Sequence, residues 1–320
     1  MRQEITDPRR LTPLEGQVRV TCIVPTLNAE RFAERLGQAI QAQSLMPSEL
    51  LLIDSSSDDN TISAFEQYGF NVLSIDREDF NHGAVRNLAA RHANGDVLVY
   101  LTQDAIPKDA SWLENLIAPI RAGTAVATFA RQVPDPSDSP LAAFARHHNY
   151  PAHSRLVTPQ DISTLGIRAA FFSNSCSAIR SDVFHALGGF RSDTIMNEDM
   201  LFAATLLNSG YAHYYCSDSL VIHSHDYSLA QTFRRYFDIG VVFAQAREEL
   251  KDFRAGGEGL NYAFRLIGYL VSEHRYWWIP RAILESLAKF AALQLGKRYR
   301  QVPRRLLPRL SMHSGYWTSG

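Results

Sequence analysis

The feature that most constrains the fold of this chain is a regular alternation of short apolar runs with segments of helical periodicity, up to Ala130. The apolar runs predict β-strands at residues 18–25, 49–54, 71–75, 96–102 and 124–130. Helical periodicity predicts intervening helices at residues 29–43, 83–94 and 111–122. A further helix is predicted to begin at a cap formed by Asp58 or Asp59 and to end at Tyr68. Strands that alternate with helices pair in parallel, in a sheet covered by helices on both faces. The chain is therefore predicted to be an α/β protein whose ligands bind beyond the carboxyl ends of the strands.

The pattern becomes less regular beyond this point. Residues 131–140 are rich in proline and predict a loop, and the strand-like run at 171–179 precedes a helix that starts at Ser181. A further helix at 198–209 ends at a glycine, and short strands are predicted at 211–216 and 220–223. From Tyr227 the chain is mostly helical and rich in aromatic residues. Three parts are expected: an N-terminal tail at 1–17, an α/β domain at 18–226, and a helical, basic and aromatic region at 227–320.

Charge and cysteine content exclude several classes of protein. With a net charge of −1, the chain lacks the excess of basic residues typical of a general nucleic-acid-binding protein, so no nucleic-acid partner is expected. Cys22, Cys176 and Cys216 lack the spacing of a zinc site or a disulfide framework, which favours a reducing cytoplasm. The first residues are too polar for a signal peptide, and no apolar run reaches the roughly 18 residues of a membrane span. A cytoplasmic protein is therefore expected.

Polar residues follow four of the predicted strands, at the edge where a ligand would bind. In chain order they are Pro25, Thr26 and Asn28; Asp54 and Ser56; His82, Gly83 and Arg86; and Gln103 and Asp104. Each group alone has a structural explanation, in turn formation, helix capping or surface charge. Their common position at one sheet edge favours a shared ligand site.

This series of motifs resembles the family 2 glycosyltransferases. The family pattern is P-x-x-N, an acidic serine-containing loop, a glycine followed by Arg-Asn, and an acidic strand end, in this order. Here these are Pro25 to Asn28, the loop from Asp54 to Asp58, the segment FNHGAVRN, and TQDAIP. Together with NEDM and HSHDYS, the last two segments look most like the rhamnosyltransferase branch. The resemblance extends over residues 18–225, and a nicotinamide-dependent dehydrogenase is excluded because no G-x-G-x-x-G follows the first strand.

The resemblance implies a GT-A nucleotide-sugar-binding fold, with a mixed, mostly parallel sheet between helices and a helical C-terminal extension. It also implies an inverting glycosyltransferase that moves L-rhamnose from dTDP-β-L-rhamnose onto a hydroxyl of a cell-surface glycan or lipid-linked precursor. Two alternatives remain open. One is a transferase of the same fold that uses a UDP-sugar, for example a galactofuranosyl donor, and the other is a non-catalytic nucleotide- or glycan-binding descendant.

The chemistry of the leaving group indicates a metal. A nucleoside diphosphate gains negative charge as the glycosidic bond breaks, and a divalent cation or cationic side chains must stabilise it. Asp104 follows an apolar strand and is suited to bind Mg²⁺ or Mn²⁺, although Thr102 stands where the family usually has a second acid. By resemblance His223 is a further ligand, with a purely structural histidine as the alternative; His225 is a weaker candidate.

The resemblance also assigns the donor and acceptor residues. Asp54 would accept hydrogen bonds from the base or ribose, unless it only caps its serine-rich turn. Arg86 would clamp phosphate at the helix start formed by His82 and Gly83. Asp199 matches the general base that removes the acceptor hydroxyl proton, and Glu198 would orient the acceptor. The alternative for both carboxylates is to complement the helix N-terminus.

The C-terminal region combines positive charge with aromatic residues. From Leu260 onward, ten lysines and arginines face only Glu273 and Glu285. An apolar stripe at helical spacing comprises Ile283, Leu287, Phe290, Ala291 and Leu295. Such a helix either lies on an anionic membrane surface, as a peripheral attachment, or packs on the α/β domain or on a second subunit.

Overall fold

The structure, a computed structural model, describes residues 12–254 and 258–317. Its strands are β1 (Val20–Thr26), β2 (Glu49–Asp54), β3 (Asn71–Ser74), β4 (Val97–Leu101), β5 (Ile106–Pro107), β6 (Ala127–Val133), β7 (Arg155–Val157), β8 (Cys176–Arg180) and β9 (His213–Ile222). Its helices are α1 (Glu30–Gln41), α2 (Thr61–Glu66), α3 (His82–His92), α4 (Trp112–Arg121), α5 (Pro140–Asn149), α6 (Ile162–Leu165), α7 (Ser181–Ala186), α8 (Glu198–Asn208), α9 (Leu229–Gln245), α10 (Glu258–Ser272), α11 (Ile279–Lys297) and α12 (Leu307–Leu310).

The described strands form one mixed sheet, in the order β3-β2-β1-β4-β8-β6-β9-β5, with β7 paired to β9. The pairs β3–β2, β2–β1, β1–β4 and β6–β9 are parallel, and β8 runs antiparallel between β4 and β6. The predicted α/β fold with a mixed sheet is confirmed, as are all five strands of the alternating region.

The strand register brings the predicted polar residues to one edge. Thr26 at the end of β1 pairs with Asp54 at the end of β2, and Asp54 pairs with Ser74 of β3. The carboxyl ends of neighbouring parallel strands therefore lie side by side, which is where a ligand site forms in such sheets.

Apolar layers cover both faces of the sheet. On one face α1 and α4 bury side chains such as Leu36 and Trp112 against the strands. On the other face α7 and α8 bury Phe184 and Phe202. Removing one such side chain from water stabilises the fold by about 1.5–3 kcal/mol. These two layers hold the strand ends, and hence the polar edge, in fixed positions.

Two predicted boundaries were wrong for identifiable reasons. The loop predicted at 131–140 is shorter at both ends: β6 continues to Val133, and Pro140 begins α5, where the Ser139 hydroxyl accepts from the Ala142 amide. The two strands predicted at 211–216 and 220–223 are one strand, β9. Its pairing with β6 shifts register between Ala130 and Arg131, where the partner changes from Cys216 to Leu220. This bulge produces the break in the sequence pattern.

The C-terminal helices share a core with the α/β region. Leu201 of α8 packs with Phe237 and Val241 of α9 and with Ala292 of α11. The core thus continues across the boundary expected at residue 226. At the N-terminal end, the expected tail falls partly outside the described residues.

The contact between α9 and α11 depends on two glycines. A Cβ on Gly296 would lie 2.1 Å from the Phe237 carbonyl oxygen, and one on Gly240 would lie 2.4 Å from the Leu293 oxygen. Only glycine permits backbones to approach this closely. The predicted apolar stripe of α11 faces away from this contact, since Ile283, Leu287 and Phe290 are all exposed. The expectation that this stripe packs on the α/β domain is therefore wrong for these three residues.

Candidate active site

Asp104 lies beside two histidines at the carboxyl edge of the sheet. One carboxylate oxygen is 3.5 Å from Nε2 of His223, and the other is 3.7 Å from Nε2 of His225. One ligand atom from each residue lies within 4.8 Å of the others. His223 and Asp104 are the two metal ligands predicted from the sequence, and the structure brings His225 to the same point.

Gln132 of β6 determines which nitrogen of His223 faces Asp104. Its amide oxygen accepts hydrogen bonds from Nδ1 of His223, at 2.9 Å, and from the guanidinium of Arg146. Arginine is only a donor, so this side of the Gln132 amide is the oxygen and Nδ1 of His223 carries the hydrogen. In the neutral ring, Nε2 then offers a lone pair toward Asp104, as in metal-binding histidines held by an outer partner. The lone pair and the carboxylate converge on a position that suits a cation.

The charge of Asp104 is also favoured by its surroundings. Although burial alone would raise its pKa, the hydrogen bond that His223 donates when its ring is protonated, the positive charge of both histidines in that state and the Thr102 hydroxyl hold the pKa of Asp104 well below its usual range. Burial, and next the charge of His223, lower the pKa of His225 to about 4. Both groups are therefore in their metal-binding protonation states at neutral pH. Thr102, which replaces the family's second acid, supports Asp104 by this hydrogen bond.

A second acidic group is built around Glu198 and Asp199, at the first turn of α8. Asn197, which precedes them, has a left-handed backbone with φ of 59°. The Asn174 backbone N–H donates to Asp199 at 3.1 Å, and its side-chain amide donates to Glu198 at 3.2 Å. Asn174 thus holds both carboxylates in position.

The two neighbouring carboxyl groups differ in their proton affinity. Burial, and next the negative charge of Glu198, raise the pKa of Asp199 to about 7. For Glu198, the opposing effects of the Arg86 and His82 charges outweigh burial and lower its pKa. Pairs of carboxyls whose environments separate their pKa values are typical of acid–base sites. Asp199 is half-buried and poised to take a proton near neutral pH.

Arg86 contacts Glu198 and not the open edge of the sheet. Its guanidinium lies 3.3 Å from the Glu198 carboxylate and donates to the His82 carbonyl at 2.8 Å. The side chain is 6% exposed. Gly83 packs against Arg191, whose carbonyl oxygen a Cβ would approach to 2.1 Å. The N-terminal amides of α3 are capped by the Asn81 side chain. The phosphate contacts predicted for His82, Gly83 and Arg86 stay predictions.

The first two strand ends form a hydrogen-bonded platform. The Asp54 carboxylate is fully buried and accepts from the Thr26 hydroxyl at 2.9 Å, and from the Ser57 hydroxyl and amide at 2.6 and 2.9 Å. Asp54 therefore holds the serine-rich turn, and the base contact predicted for it stays a prediction. Asn28 and Ser56 both have positive φ, of 50° and 56°, and both are exposed.

Gln103 connects this platform to the candidate metal-ligand cluster of Asp104, His223 and His225. Its side-chain amide exchanges two hydrogen bonds with the backbone of Leu27, at 2.9 and 3.2 Å. Since Gln103 immediately precedes Asp104, the loop after Pro25 is held in register with the fourth strand end. The four polar groups predicted from the sequence thus occupy one side of the molecule.

Sequence reasoning missed residues that the C-terminal region brings to this site. The His313 ring packs edge-on to the His82 ring, with 5.1 Å between their centroids. Tyr316 donates to the Asp193 carbonyl at 3.2 Å, on the segment that leads to Glu198. No local pattern marks these residues, because their sequence distance from the site exceeds a hundred positions.

Arg235 of α9 is a further residue that no sequence motif identified. Its guanidinium lies 5.7 Å from the centre of the Tyr227 ring, and that ring lies 5.3 Å from the His225 ring. Burial lowers the pKa of His82, His225 and His313, and the positive charge of Arg235 adds to this effect at each of them. Unlike Arg86, it forms no ion pair with a described residue.

Comparison with known proteins agrees with this geometry. Residues 21–188 match the model of glycosyl transferase family 2. The chain is 39% identical to the O-antigen chain rhamnosyltransferase RfbN of Salmonella typhimurium, over 94% of this chain and 97% of that protein. It is 41% identical to the O-antigen chain rhamnosyltransferase WbaN of Salmonella anatum, over 93% and 96% of the two chains.

Solved structures agree in fold. The mannosyltransferase PcManGT from Pyrobaculum calidifontis, in complex with GDP-Man and Mn²⁺, has a TM-score of 0.56 at 20% identity, over 98% of this chain and 87% of that one. TarS 1–349 of S. aureus, in complex with UDP-GlcNAc, also has a TM-score of 0.56, at 18% identity, over 92% and 84% of the two chains.

The fold and the site together define a nucleotide-sugar-dependent glycosyltransferase of the GT-A type. With half of the chain matched by the family model and relatives aligned over nearly its full length, the chain belongs to glycosyl transferase family 2. The resemblance drawn from the sequence motifs is thereby confirmed.

Proposed function

We propose that this enzyme transfers L-rhamnose from dTDP-β-L-rhamnose, with inversion, onto a sugar hydroxyl of a growing O-antigen-type glycan or its lipid-linked precursor. The observation that carries the proposal is the nearly full-length similarity to two proteins named O-antigen chain rhamnosyltransferases. The site chemistry supports it, because a half-buried base and a cation-binding cluster are what such a displacement requires. Three free, buried cysteines fit a reducing compartment.

Asp199 acts as the general base in this proposal. It accepts the proton of the acceptor hydroxyl while the oxygen bonds to the anomeric carbon and the bond from that carbon to the phosphate oxygen breaks. The proton ends on the Asp199 carboxyl, and the nucleoside diphosphate leaves from the opposite face of the sugar. The raised pKa suits this role, since a base with a pKa near the working pH is the most effective. Glu198, held ionised by Arg86, orients the acceptor.

Asp104, His223 and His225 would hold the divalent cation, which when bound neutralises charge on the diphosphate. Two imidazole nitrogens with one carboxylate favour Mn²⁺ over Mg²⁺, because Mg²⁺ prefers oxygen ligands throughout. Gln132 keeps Nε2 of His223 directed toward the cation position. Arg235, free of a carboxylate partner among the described residues, is the side chain that we assign to the diphosphate.

A donor panel tests the proposal. We expect dTDP-rhamnose to be turned over at least about tenfold faster than UDP-galactose, UDP-glucose or UDP-galactofuranose, a difference in barrier of about 1.4 kcal/mol. The measurement is release of nucleoside diphosphate with rhamnose- and hexosamine-ended acceptors. Asp199→Asn should lower transfer by at least about a hundredfold while calorimetric donor binding persists. A uridine donor that outperforms dTDP-rhamnose would overturn the rhamnosyl assignment and leave the enzyme class intact.

A further inference from the structure

The helices α10 and α11 form a hairpin with two apolar sides. The inner side buries Leu266, Leu270 and Ala282, which pack with Phe144 of α5. The hairpin is therefore fixed to the catalytic region and not free to move as a separate tail. A second, outward side carries large apolar side chains that contact solvent.

We call this outward side the hairpin face and define it by six residues, each more than half exposed. They are Leu260, Phe264, Trp277, Leu284, Leu287 and Phe290. The two members on α10 are four residues apart and the three on α11 are three residues apart, so each set lies on one side of its helix. Trp277 lies in the turn between the two helices. Of the sixteen large apolar side chains that are exposed among the described residues, eleven lie between Leu260 and Met312. Concentrated exposure of this kind marks an interaction surface.

Positive charge surrounds the hairpin face. Arg275 is exposed beside Trp277 at the tip, Arg265 is exposed beside Phe264, and Lys297 and Arg298 are exposed at the far end of α11. The only acids from Leu260 onward are Glu273, which is exposed at the tip near Arg275, and Glu285, which is paired with Lys289 at 2.7 Å. The surface is thus apolar at its centre, cationic at the far end of α11 and beside Phe264, and carries charge of both signs at the tip.

We propose that the hairpin face docks on an anionic lipid surface, with the apolar side chains among the acyl chains and the arginines at the headgroups. Tryptophan at the tip and cations at the ends are the arrangement of helices that lie in a membrane interface. No helix in the described ranges is long and apolar enough to cross a bilayer. The exposed Leu284, Leu287 and Phe290 follow one another along α11, so in the proposed attachment this helix lies along the surface. A symmetric contact with a second copy would bring two surfaces of net positive charge together, which charge repulsion opposes.

The test uses the full-length protein and vesicles of phosphatidylcholine with or without phosphatidylglycerol. No nucleotide sugar is present, so the result does not depend on the proposed transfer. We expect cosedimentation with the phosphatidylglycerol vesicles at low salt, at least about tenfold weaker at high salt, because ions screen surface attraction. The combined variant Phe264→Ser and Phe290→Ser should reduce vesicle affinity at least about tenfold, since both rings leave water on docking.

Met46→Ser is the matched control, because Met46 is also exposed, at 47%, but lies on the loop between α1 and β2. It should bind vesicles as the unaltered protein does, and both proteins should melt at unchanged temperature. Arg265→Gln with Arg298→Gln should weaken binding to anionic vesicles only. Unchanged binding by the Phe264/Phe290 variant would overturn the proposal. Sedimentation velocity that reveals a dimer which this variant dissociates would overturn it too, in favour of a second copy.

Discussion

At the residue scale, the site depends on how its charges are divided between two arginines and two carboxylates. Arg86 is committed to Glu198, which keeps that acid ionised. The ionised Glu198 in turn raises the proton affinity of Asp199. Arg235, which forms no ion pair among the described residues, is the side chain that we propose for the donor diphosphate. The arginine that the sequence motif marks for phosphate is thus a supporting residue of the acidic pair in this structure.

Glu198→Gln should move the acidic limb of the pH–rate profile to lower pH. In the unaltered enzyme, kcat/KM should fall below a pH of about 7, because a general base acts only when it is deprotonated. Removing the negative charge of Glu198 lowers the pKa of Asp199, so the base stays active in more acidic solution. The measurement is kcat/KM against pH, with the exposed Glu248→Gln as control. An unshifted limb in Glu198→Gln would contradict the coupling.

Arg235→Gln should lower kcat/KM about 10- to 100-fold, since a hydrogen bond to a charged group contributes about 1.5–3 kcal/mol. The adjacent Arg234 is exposed, so Arg234→Gln is a matched control that should retain full activity. Steady-state kinetics with dTDP-rhamnose measures both. Equal losses of kcat/KM in the two variants would indicate that the donor responds to the overall positive charge of α9 and not to a specific contact with Arg235.

His223→Gln should raise the Mn²⁺ concentration needed for half-maximal activity at least about tenfold, in line with the loss of a ligand from the cluster. His185→Gln removes an exposed histidine of α7 outside the cluster and should leave the metal requirement unchanged. Activity is titrated with Mn²⁺ after chelator treatment. Full activity of the unaltered enzyme in chelator would mean that arginine side chains alone stabilise the leaving group.

At the element scale, the contact between α9 and α11 determines where the C-terminal helices lie. The glycines at 240 and 296 let the two backbones touch, and this leaves the large apolar side chains of α11 on its outer side. Helix periodicity alone identifies the stripe of α11 but not the partner that it faces. The small residues on the opposite side decide this, because they permit the closer approach.

Gly296→Ala should destabilise the protein by about 1–3 kcal/mol, because the added methyl group would lie 2.1 Å from the Phe237 oxygen and force the helices apart. Gly268→Ala in α10 is the control. No atom lies within 4 Å of the Cβ added there, so the better helix propensity of alanine should stabilise by about 0.5–1 kcal/mol. Denaturant unfolding of both variants measures the difference, and equal stabilities would contradict the packing argument.

At the scale of the whole molecule, the C-terminal region completes the catalytic domain. Its helices α11 and α12 cover the apolar side of α9, and its last described residues, His313 and Tyr316, contact His82 and the Asp193 carbonyl near the acidic pair. Fold and site therefore depend on residues far apart in the chain.

A chain that ends at Arg254 should fail to fold cooperatively. Phe237, Val241 and Val242 are fully buried in the intact protein, and the truncation would remove Ala292 and Leu307 from the same core. Exposing three such side chains costs several kcal/mol, which is a large part of the net stability of a domain. Thermal unfolding followed by circular dichroism is the measurement. A sharp transition in the truncated chain would show that α9 is not stabilised by this cover.

The sequence by itself determined the alternating α/β order and the strand ends that carry the candidate site, and it predicted Asp104 and Asp199 as the residues that carry its chemistry. These follow from local periodicity and from short motifs, and parallel strands necessarily bring their ends together. Only the tertiary structure decided that Arg86 pairs with Glu198 and that Gln132 orients His223. These contacts join residues up to a hundred or more positions apart, and their choice depends on side-chain packing and competing charges. Local sequence patterns do not encode which of several available charges will meet.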